Sequence, residues 1–239
     1  MDRPRLSLAI VVAAAGQGVR FESRLPKQHV PLLGIPMLQR TLGALSVCER
    51  VDALVVAVDQ GELDRCRQEI VSERIAKVVA VIAGGDERAL SVKNGLKALT
   101  QAGTWDLVGV HDGARPLVTC EDVGRAVEVL TDDPELEGVV LVVASTDTIK
   151  VVDAAGMITA TPDRRSVWRA QTPQIFRWRV LLDAYEQAEE VLRAATDDAS
   201  LVERLGGRVK VVEGSSENLK ITDRGDWLYA EQLLAERRR

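Results

Sequence analysis

The chain has 239 residues, of which 46% are hydrophobic and 28% charged, and this composition excludes an intrinsically disordered polypeptide. Its 31 basic and 36 acidic residues give a net charge of −5, which provides no electrostatic basis for binding nucleic acid or a membrane surface. Cys48, Cys66 and Cys120 are widely separated and form no metal-binding motif. We therefore expect three reduced thiols in a cytoplasmic protein.

The amino-terminal segment fits two interpretations. Arg3 and Arg5 precede an apolar run from Leu6 to Ala15, an arrangement that also occurs in secretory signal peptides. Cleavage would discard a run that is better suited to a buried first strand. We therefore predict a strand from Leu6 to Ala15. Elsewhere too, no apolar run of the sequence reaches the ~18 residues that a membrane span requires.

Val-rich apolar runs alternate with amphipathic segments along the first 144 residues. The runs are continuous, which is typical of strands buried on both faces of a mostly parallel sheet. The predicted strands are Leu6–Ala15, Ala53–Val58, Val78–Ala83, Leu107–Val110 and Val139–Ala144, and the predicted helices are Met37–Val47, Glu62–Ser72, Glu87–Gln101 and Glu121–Leu130. Asp86 and Thr119 are the expected N-caps of the last two helices. This alternation predicts an α/β fold with a doubly wound, mostly parallel, Rossmann-like sheet.

The pattern changes after Ala144. The next apolar runs are short and separated by turns, which is more typical of hairpins: Asp147–Val152, Met157–Ala160 and Val167–Gln171. Regular alternation then returns with a helix at Val180–Ala194, a short helix at Asp198–Leu205, a strand at Arg208–Glu213 and a helix from Asp223. We predict a single domain over residues 1–239 that carries a β-rich arm at 144–172. Because such an arm must cover its apolar face, we expect a homodimer.

A glycine-rich turn follows the first predicted strand, with the sequence Ala13-Ala14-Ala15-Gly16-Gln17-Gly18-Val19-Arg20. Small residues at the end of a buried strand allow an anionic ligand to approach backbone N–H groups closely. The turn lacks the Gly-Lys-Ser/Thr of a P-loop, and Phe21 stands where a dinucleotide fingerprint needs its third glycine. Arg20 and Lys27 flank the turn with a guanidinium and an ammonium group, a combination that suits a triphosphate.

The motif Ala14-Ala15-Gly16-x-Gly18-x-Arg20, followed by Pro26-Lys27-Gln28, resembles the signature loop of nucleotidyltransferases that activate sugars or polyol phosphates. Further motifs are Gly84-Gly85-Asp86-Glu87-Arg88-x-x-Ser91-Val92, His111-Asp112-Gly113-Ala114-Arg115-Pro116, Asp147-Thr148-Ile149-Lys150, Thr172-Pro173-Gln174, Thr196-Asp197-Asp198-Ala199 and Asn218-Leu219-Lys220-Ile221-Thr222. Together they resemble the 2-C-methyl-D-erythritol 4-phosphate cytidylyltransferase family. Ala13 is a departure, since the family commonly has proline there.

The resemblance implies cytidylyl transfer from CTP to methylerythritol 4-phosphate, with Mg²⁺ as cofactor and pyrophosphate as second product, in the non-mevalonate isoprenoid pathway. A phosphate monoester has a second pKa near ~6, so the acceptor is already mostly dianionic at pH 7 and needs no general base. Two unit charges ~4 Å apart at an effective dielectric constant of ~20 repel by about 4 kcal/mol. We therefore expect catalysis by positioning and charge neutralisation around an in-line displacement.

The resemblance also implies a role for each matched residue. The expected catalytic cations are Arg20, Lys27 and Lys220. The expected CTP-binding residues are Ala14, Ala15, Gly16, Gly18, Gly84, Gly85, Asp86 and Ser91. The expected acceptor-binding residues are Asp112, Arg115, Thr148, Arg164 and Thr172, the last three acting across the dimer interface. Asp112 is also the candidate Mg²⁺ ligand, Asp86 serves equally well as a helix cap, and His29 and His111 are expected to be structural.

Other functions fit parts of the sequence. A cytidylyltransferase for another polyol phosphate, such as ribitol 5-phosphate, differs only in its acceptor pocket. An NAD-dependent oxidoreductase needs an acidic ribose ligand at the end of the second strand, where Asp59 stands. A non-catalytic nucleotide-binding module would not require both Arg20 and Lys27.

Overall fold

A computed structural model describes residues 5–16 and 26–237 of the chain. The strands are β1 (Leu8–Ala14), β2 (Pro31–Leu32), β3 (Ile35–Pro36), β4 (Ala53–Val58), β5 (Val78–Ala83), β6 (Leu107–Asp112), β7 (Gly138–Ala144), β8 (Val151–Val152), β9 (Ile158–Ala160), β10 (Trp168–Arg177) and β11 (Val209–Glu213). The helices are α1 (Met37–Ser46), α2 (Leu63–Ser72), α3 (Arg88–Ala102), α4 (Cys120–Asp132), α5 (Trp178–Tyr185), α6 (Glu189–Ala194), α7 (Asp198–Arg204) and α8 (Arg224–Glu236).

The central sheet of the described residues has seven strands in the order β11-β7-β10-β6-β1-β4-β5. Adjacent strands of this sheet are parallel, except that β10 runs antiparallel to both of its neighbours, β6 and β7. Helices cover both faces of the sheet. The predicted α/β fold with a mostly parallel sheet is therefore confirmed.

Strand β1 shows why the apolar runs are continuous. Leu8, Ile10 and Val12 pack into the hydrophobic core on the side of α1, α2 and α4. Ala9 and Val11 pack into the core on the opposite side, with α3, α5 and α7. All five side chains are fully buried, so neither face of the strand tolerates a polar residue.

Two local predictions about helices need correction. Glu87, not Asp86, is the N-cap residue of α3, and no side chain caps that helix. The helix predicted over Val180–Ala194 is two helices, because the Gln187 amide donates to the carbonyl oxygens of Ala184 and Leu201 and stabilises a break between α5 and α6. Thr119 does cap α4, as predicted, by accepting from the Asp122 amide.

The prediction of three reduced thiols is also wrong. A disulfide joins Cys48 to Cys120, whose Cα atoms lie 5.1 Å apart. The pairing has no signature in the sequence, because 72 residues separate the two positions and only the fold brings Cys48, just after α1, next to Cys120, the first residue of α4. Cys66 is a free, buried thiol, and burial raises its pKa to about 11, so it stays protonated and unreactive.

Strands β8 and β9 form a separate two-stranded sheet whose residues are all exposed. The arm predicted at 144–172 extends into the central sheet, because Trp168–Ala170 of β10 pair with the end of β7. The part outside the central sheet is therefore shorter than predicted. In the portion of the chain that the structure describes, no helix is long and apolar enough to cross a membrane.

Candidate active site

A cleft opens at the carboxyl ends of β1, β5 and β6, where open α/β sheets bind their ligands. It brings together Ala14, Ala15, Gly16, Lys27, Gly85, Asp86, Ser91, Asp112 and Lys220, all of which the sequence assigned to the site. Gly18 and Arg20 lie outside the described residues. Lys27 begins a short 3₁₀ turn, Lys27–His29. The structural role predicted for His29 fits its burial at the end of this turn, where its Nε2 lies 2.7 Å from a Glu62 carboxylate oxygen of the segment before α2.

The glycine turn after β5 packs directly against the end of β1. A Cβ atom at Gly84 would lie 2.4 Å from the Cβ of Ala15, and one at Gly85 would lie 2.5 Å from the Cβ of Leu90. Ser91 fixes this turn, since its hydroxyl accepts from the Gly85 amide at 3.0 Å and donates to the Glu87 carbonyl at 3.1 Å. The turn therefore has room only for glycine, and its wall of the cleft is made of backbone.

Asp86 lines the same wall but does not cap a helix. Its carboxylate pairs with Arg193 of α6 at 2.9 Å, and the hydrogen bond from that guanidinium lowers the pKa of Asp86. The capping alternative for Asp86 is thus excluded by the geometry. Its pairing attaches the glycine turn to α6.

Asp112, at the end of β6, is a buried carboxylate within a group of cations. Its Oδ1 accepts from Arg88 Nε at 3.0 Å and its Oδ2 lies 3.0 Å from Lys220 Nζ, while Arg115 Nε lies 3.6 Å from Oδ2. Burial alone would raise the pKa of Asp112, but the charges of Arg88, Lys220 and Arg115 outweigh it and hold the pKa well below its usual range. Asp112 is therefore ionised and aligns these cations.

Arg88 is a site residue to which the sequence assigned no role. It is the first residue of α3 and lines the cleft, and its Nη2 donates to Asp198 Oδ2 at 2.9 Å while its Nε holds Asp112. The sequence did contain a signal for this contact, because Arg88 and Asp198 each lie in one of the motifs on which the family resemblance rests. Nothing in the sequence indicated that these motifs meet across 110 residues.

Thr172 and His111 form a buried chain of hydrogen bonds behind Asp112. The Asp112 amide donates to Thr172 Oγ1 at 3.0 Å, and Thr172 Oγ1 lies 3.1 Å from His111 Nδ1. His111 Nε2 lies 3.2 Å from the Arg115 carbonyl oxygen, which can only accept, so the proton is on Nε2 and Thr172 donates to Nδ1. Burial lowers the pKa of His111 to about 4, which keeps the ring neutral. The structural role predicted for His111 fits this geometry.

This buried histidine makes stability depend on pH in a defined window. Between pH 4 and 6.5 the unfolded chain binds a proton at His111 that the folded chain does not, because the pKa falls from 6.5 to about 4 on folding. The free energy of unfolding should therefore fall as pH drops through this window, by about 3 kcal/mol at most. Urea unfolding at pH 7.5 and pH 4.5 measures the change. His111→Gln should reduce it, and an equal pH dependence in that variant would show that other groups cause it.

A family model described as 2-C-methyl-D-erythritol 4-phosphate cytidylyltransferase matches residues 8–236. The chain belongs to this family. A relative with that name from Geobacter metallireducens is 40% identical over 234 residues, covering 97% of this chain and 99% of the relative. Another from Geobacillus thermodenitrificans is 42% identical over 228 residues, covering 95% and 96%.

Solved structures agree with the family assignment. The 4-diphosphocytidyl-2C-methyl-D-erythritol synthase of Anaerococcus prevotii superposes with a TM-score of 0.81 at 28% identity and 96% coverage of both chains. The cytidylyltransferase of Thermus thermophilus gives a TM-score of 0.72 at 30% identity, covering 97% of this chain and all of that one. Asp59, which an oxidoreductase would use on a ribose, instead accepts from the Gly61 amide and caps the turn before α2.

The remaining acceptor residues implied by the family do not line this cleft in their own chain. Thr148 and Arg164 are exposed on the arm. Of the two neighbouring arginines, Arg165 forms an ion pair with Asp163 at 2.5 Å, and Arg164 does not. Arg115 is buried, and its guanidinium donates to the carbonyl oxygens of Asn218 and Ala170. Burial lowers the pKa of Arg115.

The described residues do not fit a metal site held by the protein. They contain no group of three His, Cys, Asp or Glu side chains that could hold a metal ion. Both carboxylate oxygens of Asp112 face cations, so a bound Mg²⁺ would have to displace Arg88 or Lys220. The geometry therefore does not support Asp112 as a preformed Mg²⁺ ligand.

Proposed function

We propose that the cleft transfers a cytidylyl group from CTP to 2-C-methyl-D-erythritol 4-phosphate, the reaction for which its family is named, in isoprenoid biosynthesis. The products are 4-diphosphocytidyl-2-C-methyl-D-erythritol and pyrophosphate. The observation that carries the proposal is the convergence of Lys27, Arg88 and Lys220 on one cleft beside the glycine turn. Cations around a backbone-lined turn suit a polyanion that carries a small base.

In the proposed reaction an oxygen of the acceptor phosphate attacks the α-phosphorus of CTP. The new P–O bond forms as the bond to the bridging oxygen breaks, and its electron pair leaves with pyrophosphate. No proton moves in this step, because the attacking phosphate is already dianionic. Lys27, Lys220 and, by family resemblance, Arg20 and the Gly16–Gly18 backbone stabilise the charge that develops on the phosphates. His111 takes no part, since both of its ring nitrogens are engaged in the buried chain.

The turn at Gly84 and Gly85 is the proposed cytosine site. Backbone groups there would hydrogen-bond the base, and the close packing against Ala15 favours a pyrimidine over a larger purine. Ala14 and Ala15 keep the facing wall small. Asp86 lies beside this turn and is held by Arg193.

The two-stranded sheet of the arm is the proposed dimer contact. Val152, Met157 and Ile158 are 53%, 67% and 60% exposed there, an apolar surface that a second copy would cover. Thr148 and Arg164 lie in the same arm and would complete the partner's cleft by binding the acceptor phosphate. Thr172, whose hydroxyl is already used by Asp112 and His111, supports that site rather than binding the acceptor directly.

The described residues of the cleft form no carboxylate cage for Mg²⁺, so the phosphates of CTP would hold this ion if the reaction uses it. The cytoplasmic location stays a prediction. The disulfide between Cys48 and Cys120 counts against it, because structural disulfides are rare in reducing compartments.

Pyrophosphate release with each ribonucleoside triphosphate and either methylerythritol 4-phosphate or ribitol 5-phosphate tests the proposal. We expect release with CTP and methylerythritol 4-phosphate, and a kcat/KM lower by at least about 10² for any other pair. A preference for ribitol 5-phosphate would transfer the assignment to the related cytidylyltransferase. Release with a purine triphosphate at an equal rate would contradict the proposed base site.

A further inference from the structure

Asp198 is a fully buried carboxylate that does not line the cleft. It is the first residue of α7, and its Oδ1 accepts from the hydroxyl of Tyr185, the last residue of α5, at 2.5 Å. Its Oδ2 accepts from Arg88 Nη2 at 2.9 Å. Of these two partners, Arg88 is the one that lines the cleft, so Asp198 is linked to the described part of the site through Arg88.

Arg88 divides its guanidinium between two carboxylates. Nη2 binds Asp198 and Nε binds Asp112 Oδ1, so each carboxylate receives one N–H. An arginine near a single carboxylate prefers to bind both oxygens with two parallel N–H groups. The single contact with Asp112 is thus a consequence of the second carboxylate, and it leaves Asp112 Oδ2 for Lys220 Nζ at 3.0 Å.

We infer that Asp198 is a positioning residue for the transfer: by holding Arg88, it keeps one oxygen of Asp112 for Lys220. Without the charge at Asp198, Arg88 turns both nitrogens toward Asp112 and displaces Lys220 from its place in the cleft. This inference rests on the proposed function, because Lys220 matters only if the cleft stabilises transferring phosphates.

The loss of negative charge at Asp198 would by itself favour the binding of an anionic substrate, and this is the opposite of the expected loss of turnover. Arg88, Arg115 and Lys220 carry three positive charges among the described residues that contact the two carboxylates of this cluster, Asp112 and Asp198. Removing the charge of Asp198 makes the cleft more positive, which by itself would favour binding of CTP. A loss of turnover in that variant would therefore come from geometry.

Asp198→Asn is the test, because it keeps the size and an oxygen that can accept from Tyr185. We expect kcat to fall by about tenfold with little change in the KM for CTP, since Lys220 acts mainly on the transition state. Asp183→Asn is the matched control, because Asp183 is exposed on α5 and does not line the cleft. Its kcat should equal that of the wild type.

A second measurement follows Lys220 without relying on turnover. Labelling of lysine amines with acetic anhydride, read at Lys220 by mass spectrometry, should be faster in Asp198→Asn because the ammonium has lost its carboxylate partner. Tyr185→Phe, which removes only the donor to Asp198, should change labelling and kcat in the same direction but less. If Asp198→Asn does not fold, as a lost thermal transition would show, the comparison is made with Tyr185→Phe.

Arg88→Gln tests whether Asp198 acts on the site through Arg88. If Asp198 acts through Arg88, adding Asp198→Asn to Arg88→Gln should lower kcat no further, whereas independent effects would multiply. Unchanged labelling of Lys220 together with wild-type kcat in Asp198→Asn would overturn the inference. A wild-type enzyme that releases no pyrophosphate would instead refute the proposed function, while the labelling result would still decide how Lys220 is held.

Discussion

Replacing Lys27 with alanine is expected to lower kcat by roughly 10²–10⁴ while the fold stays intact. Lys27 lines the cleft from a short turn, outside the two large hydrophobic cores that hold the sheet together. Its ammonium would face the triphosphate, where the departing pyrophosphate gains negative charge in the transition state. Because that charge is larger than in bound CTP, the loss should appear in kcat more than in KM.

The measurement is steady-state pyrophosphate release, with thermal unfolding as the test of the fold. Lys97→Ala is the matched control, since Lys97 is exposed on α3 and does not line the cleft. Lys27→Arg should recover part of the activity, because it keeps the charge but not the compact ammonium geometry. A Lys27→Ala enzyme with near-wild-type turnover would remove this residue from the transition state.

The Val-rich apolar runs predicted the bounds of a central strand and of an edge strand equally well. Strand β4 begins and ends at the predicted residues and all six of its residues are buried, as expected for a continuous apolar run. Strand β5 also matches its predicted bounds, but it is the edge strand of the sheet and its residues are only partly buried, so the run predicted the strand and not its burial. The break between α5 and α6 was missed because it depends on the Gln187 side chain contacting Leu201, a residue of another helix. Local propensity carries no information about such a contact.

The cleft was predictable to the extent that it is made of local motifs. The glycine turns and Lys27 were found because small residues at strand ends and flanking cations have recognisable spacings. The partners of Arg88 could not be predicted, because the contact between Arg88 of α3 and Asp198 of α7 joins residues that are 110 positions apart. Thr172 shows the same limit, since a threonine that binds a ligand and one that holds a neighbouring strand look alike in sequence.

Arg164 of the arm is the proposed contact to the phosphate of the acceptor, and its removal should weaken acceptor binding. Arg164→Ala should raise the KM for methylerythritol 4-phosphate by about 10- to 100-fold, the usual loss for a hydrogen-bonded charge. The Arg164 side chain is exposed in its own chain and does not line the cleft of that chain. We expect the deficiency to appear in the cleft of the other chain.

Heterodimers that combine Lys27→Ala with Arg164→Ala decide this point. With two different affinity tags they can be purified away from either homodimer. If each arm serves the other chain's cleft, the Arg164→Ala chain receives an intact arm and one of the two sites is fully functional. The heterodimer should then show about half of wild-type activity at an acceptor concentration below the KM of Arg164→Ala, since the two sites of a symmetric dimer are equivalent.

The control heterodimer of Lys27→Ala with wild type should have the same activity, because it also contains one functional site. If each arm served its own cleft, the Lys27→Ala/Arg164→Ala heterodimer would have no intact site and its activity would remain near that of the single variants. Light scattering must find a mass of twice 26.1 kDa for the wild type. A monomer that is fully active would contradict the dimer and, with it, the shared site, because exposed Arg164 would then have to reach the acceptor within one chain.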